Sequence, residues 1–205
     1  MKYFDMFSGI GGFPLGIQKA YEDINVSKSK RSKQRRMDNE KKVSESKQES
    51  MATQQPDCVG YSEIDRYAIQ VYNKHFNHKN YGDITKINTK ELPDFDLLVG
   101  GVPCQSWSIA GKRGGFEDER GNMWFQFSRI LRDKQPKYFI AENVKGLLSH
   151  DEGKSMERIC EELCGCGYAI DFEVLNAKNF GVPQSRERVF ILGIRLDLLD
   201  EKQIF

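Results

Sequence analysis

Short, continuously apolar runs alternate with amphipathic segments along this chain, and this alternation limits the fold more than any other feature. FDLLVGG and KYFIAENV are typical of strands that are covered on both faces, whereas MWFQFSRILRD has its large apolar residues at helical spacing. The other predicted strands are KYFDMF, DCVGYSEID, DFEVLNA and RVFILGI. Because strands that alternate with helices form mostly parallel sheets, we predict an α/β fold with a mostly parallel sheet and helices on both of its faces.

The length and the apolar content are those of one domain. A chain of 205 residues with 39% hydrophobic residues can bury one core, so we predict a single domain over residues 1–205. Within it, residues 25–55 carry nine Lys and Arg against four acidic residues and almost no large apolar ones. This composition predicts a disordered basic insertion. We interpret it as a charged surface loop, and contact with a phosphate backbone is the alternative.

Charge, hydropathy and cysteine content narrow the class of protein. The 31 basic and 30 acidic side chains nearly cancel, so any nucleic-acid contact must come from a local cluster. No apolar run approaches the roughly 18 residues of a membrane span, and we expect a soluble cytoplasmic protein without membrane contact. The five cysteines, three of them in CEELCGC, lack the spacing of a zinc site. We therefore expect reduced thiols and no metal.

Residues suited to ligand binding follow the predicted strands, at the edge where parallel sheets bind ligands. After the first strand, Gly9, Gly11 and Gly12 allow a ligand to approach the backbone closely. Glu63 ends the second strand and is a candidate ribose-binding carboxylate. Asp83 is either an acceptor for an adenine amino group or a simple turn cap. Since the glycines lack the GxGxxG spacing and no P-loop lysine follows, the set predicts a nucleoside site without phosphates, which S-adenosylmethionine fits.

A single cysteine follows the next predicted strand, in VPCQ. A buried structural thiol is the ordinary interpretation of Cys104, but its place at the ligand edge, ahead of a loop with Lys112 and Arg113, favours a stabilised thiolate and hence a nucleophile. The following strand ends in AENV, where Glu142 and Asn143 reach the same edge, and a carboxylic acid there would complete a nucleophile and acid pair. Arg186 and Arg188 alternate onto one strand face. They would meet solvent, a carboxylate such as Glu142, or a pyrimidine oxygen.

Taken in order, these motifs resemble those of the DNA (cytosine-5) methyltransferases. FSGIGGF, YSEID, GDIT, GGVPCQSWSIAGKRGGFEDERGN, AENVKGLL and NFGVPQSRERVFILG follow one another as in that family and cover nearly all of the chain outside the insertion. The combination of PCQ with ENV and QxRxR is highly specific. The resemblance implies a Rossmann-like S-adenosylmethionine-dependent methyltransferase fold, double-stranded DNA as the substrate, and a bacterial or phage-encoded enzyme of the kind found in restriction-modification systems.

The resemblance also implies roles for individual residues. Cys104 would be the nucleophile, and Glu142 would contact the cytosine, with Arg186 and Arg188 supporting the base and the catalytic carboxyl. The residues implied on the DNA side are Gln105 and Ser108, in the loop that closes over DNA, and Asn143. The residues implied to line the cofactor pocket are Phe7, Ser8, Gly9, Gly11, Gly12, Glu63, Ile64, Asp83, Ile84 and Pro103.

The mechanism implied by this family explains why a thiol precedes so long a glycine-rich loop. C5 of cytosine is a poor nucleophile, so the Cys104 thiolate would add at C6 and turn the ring into an enamine that accepts a methyl group. A protonated Glu142 at ring N3 would relieve the charge that develops. Because C6 is unreachable inside a duplex, the base must flip out, and the loop after Cys104 would close over it as a lid.

The chain departs from the family pattern in three respects. No target-recognition region follows the QxRxR strand, so the chain is expected to be either one subunit of a split enzyme or an inactive truncated fragment. In the first case a second polypeptide would carry recognition and a closing helix. The basic insertion would be a docking arm for that polypeptide or a tolerated loop. Ile64 stands where many members have an aromatic residue against the adenine, which predicts weaker stacking.

Other functions stay open at this level. A tRNA cytosine-5 methyltransferase would use the same cysteine and glutamate, although SWSIAGKRGGFEDERG is closer to the DNA enzymes. A non-catalytic module that holds cofactor or DNA for a partner would not need the thiol. An oxidoreductase using NAD is disfavoured by the spacing of the glycines.

Overall fold

The computed structural model describes residues 1–39, 55–103 and 123–200. Six strands in these ranges form one sheet: β1 (Lys2–Met6), β2 (Asp57–Ser62), β3 (Leu97–Gly101), β4 (Tyr138–Val144), β5 (Tyr168–Asn176) and β6 (Glu187–Arg195). Their order in the sheet is β2-β1-β3-β4-β6-β5. Neighbouring strands are parallel from β2 to β4, and β6 is antiparallel to both β4 and β5. The prediction of a mostly parallel α/β sheet is confirmed.

The order of the strands reverses beside β1, and this reversal decides where a ligand can bind. The chain passes from β1 to β2 on one side and then crosses back to β3 on the other side of β1. The connections that leave β1 and β3 therefore diverge and open a crevice at the carboxyl ends of these strands. The glycine turn follows β1, and Val102 and Pro103 follow β3, so the fold brings both predicted motifs to this crevice.

Helices cover both faces of the central strands. They are α1 (Gly12–Asn39), α2 (Arg66–His75), α3 (Met123–Lys134) and α4 (Lys154–Gly165). On one face, Phe127 of α3 and Ile159 of α4 share a core with Leu98 of β3. On the other face, Ile17 of α1 packs against a small cluster that contains Val99. Leu98 and Val99 are adjacent and both fully buried, as the continuous apolar run predicted.

The antiparallel end of the sheet is more open on its second face. Tyr138 of β4 lies opposite Ile194 of β6, and these two side chains and Leu192 are each about two-fifths exposed. In the described part of the chain, helices thus cover both sides of β1 and β3, while one side of the β4-β6-β5 end remains largely uncovered.

The first helix is longer than the composition predicted. α1 continues to Asn39, whereas a disordered insertion was predicted from residue 25, so that prediction is wrong for residues 25–39. Six of these fifteen residues are Lys or Arg, which have good helix propensity, and adding residues to a helix that is already nucleated costs little. The first turns of α1 are held on the sheet by Phe13 and Ile17. Residues 40–54 of the predicted insertion lie outside the described residues.

Two kinds of feature are missing from the ranges that the structure describes. No helix there combines the length and the apolar character needed to cross a membrane. No group of three or more His, Cys, Asp or Glu side chains is placed to hold a metal ion in the same ranges.

Candidate active site

The glycine turn joins the carboxyl end of β1 to the first turn of α1. Phe7, Gly9 and Gly11 all have positive φ values, of 54°, 53° and 93°. The turn closes with a hydrogen bond of 3.0 Å from the Gly11 N–H to the Ser8 carbonyl. A Cβ on Gly11 would lie 2.8 Å from the Phe76 ring, whereas one on Gly9 would meet nothing within 4 Å. Gly11 is thus required by packing and by φ, and Gly9 leaves one side of the turn open for a ligand.

Glu63 is fixed by backbone donors from two segments. Its Oε2 accepts a hydrogen bond of 2.9 Å from the Gly9 N–H. Its Oε1 accepts bonds of 2.8 and 2.9 Å from the N–H groups of Ile64 and Asp65. An ionised carboxylate can accept about four hydrogen bonds, so capacity remains for a ligand hydroxyl. The predicted glycine turn and the predicted carboxylate are therefore in direct contact.

Asn80 links Glu63 to the segment that carries Asp83, and sequence reasoning missed it. The Asn80 Nδ2 donates to the Glu63 carbonyl over 3.1 Å, and its Oδ1 accepts from the N–H groups of Glu63 and Gly82 over 3.3 and 2.9 Å. Asn80 also forms an isolated parallel bridge with Tyr61. The only signal in the sequence is an asparagine shortly before a glycine, which also marks ordinary turns.

Asp83 caps a short turn at this edge. Its Oδ1 accepts hydrogen bonds from the Thr85 N–H and hydroxyl, over 3.0 and 2.8 Å, at the start of the 3₁₀ turn Ile84–Lys86. These two bonds from Thr85 lower the pKa of Asp83, and the Lys86 ammonium 3.6 Å away adds to the effect. The cap interpretation of Asp83 therefore holds. Neither bond from Thr85 uses Oδ2. The role of Asp83 as an acceptor for an adenine amino group stays a prediction.

Neighbouring cofactor candidates differ in what their side chains offer. Ile64 is 74% exposed beside Glu63, whereas Ile84 is 3% exposed and packs in the main core. Phe7 packs against that same core. Ser8 is buried, and its hydroxyl has no hydrogen-bond partner among the described residues. Ile64 therefore presents an exposed apolar side chain at this edge that could pack against a planar ring.

A buried carboxyl lies in β1 just before the glycine turn, and sequence reasoning missed it as well. Asp5 is completely buried, and neither of its oxygens has a hydrogen-bond partner within the described part of the chain. Burial, with a smaller contribution from the negative charge of Glu63, raises the pKa of Asp5 well above its ordinary value. The available signal was an acidic residue inside an apolar strand, KYFDMF.

Glu142 and Arg188 form the charged part of the site at the end of β4. Arg188 Nε lies 2.8 Å from Glu142 Oε1, although the N–H is not aligned for a hydrogen bond. Gly101 of β3 stands beside this carboxyl, since a Cβ there would lie 3.3 Å from Glu142 Oε2. Arg186 is exposed just before β6, where its backbone N–H donates to Asn176 Oδ1 over 3.1 Å and its carbonyl accepts from the Ala177 N–H over 3.0 Å. The structure thus joins Arg188 to Glu142 and leaves Arg186 apart from that carboxyl.

Asn143 holds the backbone that leads toward Cys104. It is buried, and its Nδ2 donates to the Val102 carbonyl over 3.1 Å. The Val102 N–H in turn donates to the Glu142 carbonyl over 3.1 Å. These bonds hold Val102, just beyond the end of β3, onto β4. Asn143 is thus a buried support for the Val102 backbone, and its expected role on the DNA side stays a prediction. The predicted residues Cys104, Gln105 and Ser108 lie outside the described residues.

Comparison with known proteins now decides the family. The sequence profile described as C-5 cytosine-specific DNA methylase matches residues 1–204. The chain belongs to this family. It is 52% identical over 150 residues to the orphan methyltransferase M.Rho11sI of Bacillus phage rho11s, a match that covers 72% of this chain and 30% of that protein.

A second relative supports the assignment, and a solved structure shares the fold. The type II methyltransferase M.BsuFI of Bacillus subtilis is 40% identical to this family member over 198 residues, which is 97% of this chain and 40% of the relative. The crystal structure of the S. pombe Dnmt2 methyltransferase shares the fold with a TM-score of 0.61 and 20% identity, over 96% of this chain and 51% of that one. The chain therefore spans about half or less of the length of the proteins that it matches.

Proposed function

We propose that the chain transfers a methyl group from S-adenosylmethionine to C5 of a flipped-out cytosine in double-stranded DNA. Family membership supports the reaction class. The observation that carries the proposal is the contact of 2.8 Å between Glu142 Oε1 and Arg188 Nε at the carboxyl end of β4. It stands beside β3, the strand that leads to Pro103 and Cys104.

The residues of the crevice fit S-adenosylmethionine. Gly9 has an open side, Glu63 has acceptor capacity for a ribose hydroxyl, and Ile64 presents an exposed apolar side chain. We infer that these groups hold the nucleoside, with Asp83 toward the adenine amino group. The bound sulfonium would supply an electrophilic methyl group. The fit needs no phosphate-binding group, in agreement with the absence of a P-loop lysine after the glycines.

The catalytic steps are proposed for the side chains of this chain. The Cys104 thiolate attacks C6 of the cytosine and forms an S–C6 bond, and the electron pair of the C5–C6 double bond becomes available at C5. Glu142, in its protonated form, gives a proton to ring N3 and so neutralises the charge that develops. After C5 has accepted the methyl group, N3 returns its proton to Glu142. A base then removes the C5 proton, the C5–C6 double bond re-forms, and the S–C6 bond breaks to return the thiolate. Arg188 holds the Glu142 carboxyl in place from β6.

Sequence recognition is proposed to need more than this chain. The relatives that it matches are at least about twice as long as the matched part. A second polypeptide that carries target recognition stays a prediction. Labelled methyl transfer to unmethylated duplex DNA, by the chain alone and then with the product of the neighbouring reading frame, tests it. Methyl transfer to tRNA in the same assay would favour the RNA alternative instead.

Replacing the proposed nucleophile provides the first test. We expect Cys104→Ala to abolish labelled methyl transfer while S-adenosylmethionine binding, measured by titration calorimetry, is retained. The physical reason is that the alanine side chain has no nucleophilic atom to attack C6 of the cytosine. Cys164→Ala, at an exposed thiol of α4, is the matched control and should keep full activity. Continued methylation by the Cys104→Ala variant would exclude the covalent mechanism and favour a non-catalytic role for that thiol.

A further inference from the structure

One arginine of α3 holds the turn that carries Asp83. The Arg129 guanidinium donates from Nη2 to the Ile84 carbonyl over 2.7 Å and from Nη1 to the Ile87 carbonyl over 3.0 Å. Its Nε donates to the Gln126 side chain over 2.9 Å, one turn earlier in the same helix. The planar guanidinium is thus held in place by its own helix and donates to both carbonyls of the turn.

The turn itself is short and has few internal bonds. Besides the two hydrogen bonds from Thr85 to the Asp83 carboxylate, the Lys86 N–H donates to the Asp83 carbonyl over 3.0 Å, and the Ile87 N–H reaches the Ile84 carbonyl over 3.4 Å. A 3₁₀ turn of three residues is not stable alone. Its position therefore depends on groups outside it, and charged donors to two of its carbonyls are the strongest kind of hydrogen bond available for this purpose.

The opposite side of the turn is tied to the Glu63 network. The Ser62 hydroxyl donates to the Gly82 carbonyl over 2.7 Å, and the Gly82 N–H donates to Asn80, which also bonds to Glu63. Asp83 thus stands between two anchors, one on β2 and the other on α3. Loss of the α3 anchor would let Asp83 shift relative to Glu63 while the β2 anchor stays in place.

α3 makes a comparable contact with the same stretch of chain farther from Asp83. Lys134 Nζ donates to the Leu92 carbonyl over 2.9 Å and pairs with Asp94 over 2.6 Å. This contact also joins a basic residue of α3 to a backbone carbonyl, but it lies nine residues beyond Asp83. It offers a control that separates general anchoring of the segment from placement of the Asp83 turn.

We propose that Arg129 is a positioning residue for the cofactor: it holds the Asp83 turn at the distance from Glu63 that a bound nucleoside requires. The inference rests on the proposed S-adenosylmethionine site and adds to it a residue that touches neither cofactor nor DNA. It acts through the backbone of residues 84–87. Its substitution therefore weakens cofactor binding and leaves the chemistry at Cys104 and Glu142 unchanged once the cofactor is bound.

The test compares Arg129→Met, Arg129→Lys and Lys134→Met in the full chain. Titration calorimetry with S-adenosylmethionine and with adenosine measures binding, thermal unfolding measures stability, and amide hydrogen exchange reports on residues 83–87. Arg129→Met should weaken the binding of both ligands by about tenfold or more, the loss of affinity expected when charged hydrogen bonds are removed. It should also speed exchange at residues 83–87. Arg129→Lys should recover part of the affinity, and Lys134→Met should leave both affinities unchanged.

The outcomes separate the inference from the function on which it rests. If Arg129→Met lowers thermal stability but binds both ligands like Lys134→Met, Arg129 is only structural and the inference is overturned. If the unsubstituted chain binds neither ligand, the proposed cofactor site is wrong and the inference falls with it. In a methyl-transfer assay, a raised KM for S-adenosylmethionine with unchanged kcat supports positioning, whereas a lowered kcat at saturation contradicts it.

Discussion

Glu142 and Arg188 meet because of the register between β4 and β6. Arg188 pairs with Val144 across the antiparallel ladder, and Glu142 pairs with Phe190, so the two charged residues are diagonal neighbours on one face. Each side chain is about one-fifth exposed. Such a contact holds the carboxyl in place: Oε1 lies against Arg188, and Oε2 lies beside Gly101.

We predict that Glu142→Gln slows methyl transfer by about 100- to 10,000-fold, the range for a lost acid catalyst. The amide has the size of the carboxyl but has no acidic proton to give to ring N3. Single-turnover transfer of labelled methyl groups to duplex DNA measures the rate, and cofactor affinity should be unchanged.

Glu173→Gln is the matched control for this substitution. Glu173 of β5 pairs with Phe190, the residue that also pairs with Glu142, so both glutamates lie in one row of the sheet. Glu173→Gln should keep the original rate. A Glu142→Gln rate equal to that of the control would exclude the proposed role of Glu142 as an acid.

At the scale of elements, the connection from β1 to α1 shapes the cofactor side of the crevice. The turn bends sharply enough to place Gly9 against Glu63 and Gly11 against the aromatic end of α2. Its backbone also starts α1, which begins at Gly12 directly after the turn. The same few residues therefore set the direction of α1, the packing of α2 and the position of Glu63.

We predict that Gly11→Ala destabilises the chain by about 1–3 kcal/mol, the cost of forcing an extra methyl group into a packed site. The added Cβ would lie 2.8 Å from Phe76 and would also stand at a φ of 93°. Gly12→Ala is the control, since a Cβ there meets nothing within 4 Å and its φ is not positive. Urea unfolding of both variants measures the difference, and equal stabilities would contradict the packing argument.

The elements themselves were largely predictable from local pattern. The strands and the helices α2, α3 and α4 follow periodicities set by neighbouring residues, and tertiary packing reinforces these choices. The length of α1 was not predictable, because the apolar pattern ends near Ile17 while helix propensity persists through the Lys- and Arg-rich stretch. Composition alone does not separate a solvated helix from a disordered segment.

For the whole molecule, buried Asp5 makes stability depend on pH. The folded chain keeps the Asp5 proton to a higher pH than the unfolded chain does, because burial raises its pKa. The stability that this proton contributes is complete below pH 3.8, the ordinary value for Asp, and it is lost as the pH rises through the raised folded pKa. We therefore predict that the free energy of unfolding falls between about pH 5 and about pH 8 more steeply for the native sequence than for Asp5→Asn.

Urea unfolding at both pH values measures this difference. Asp23→Asn, at an exposed site on α1, is the control and should follow the native sequence. A pH dependence of Asp5→Asn equal to that of the native sequence would show that Asp5 does not carry the effect.

The sequence by itself determined the fold class, the family and the chemical types at the crevice. Short apolar strands and amphipathic helices are encoded by nearest neighbours, and the glycine turn, Glu63, Glu142 and Arg188 are recognisable from motifs within single segments. Only the tertiary structure decided how these segments connect. Three features depend on residues far apart in the chain: the hydrogen bonds of Asn80 to Glu63, the hydrogen bonds of Arg129 to the Asp83 turn, and the burial of Asp5 without a hydrogen-bond partner among the described residues. No local pattern predicts them, because they follow from how helices and strands pack once the core has formed.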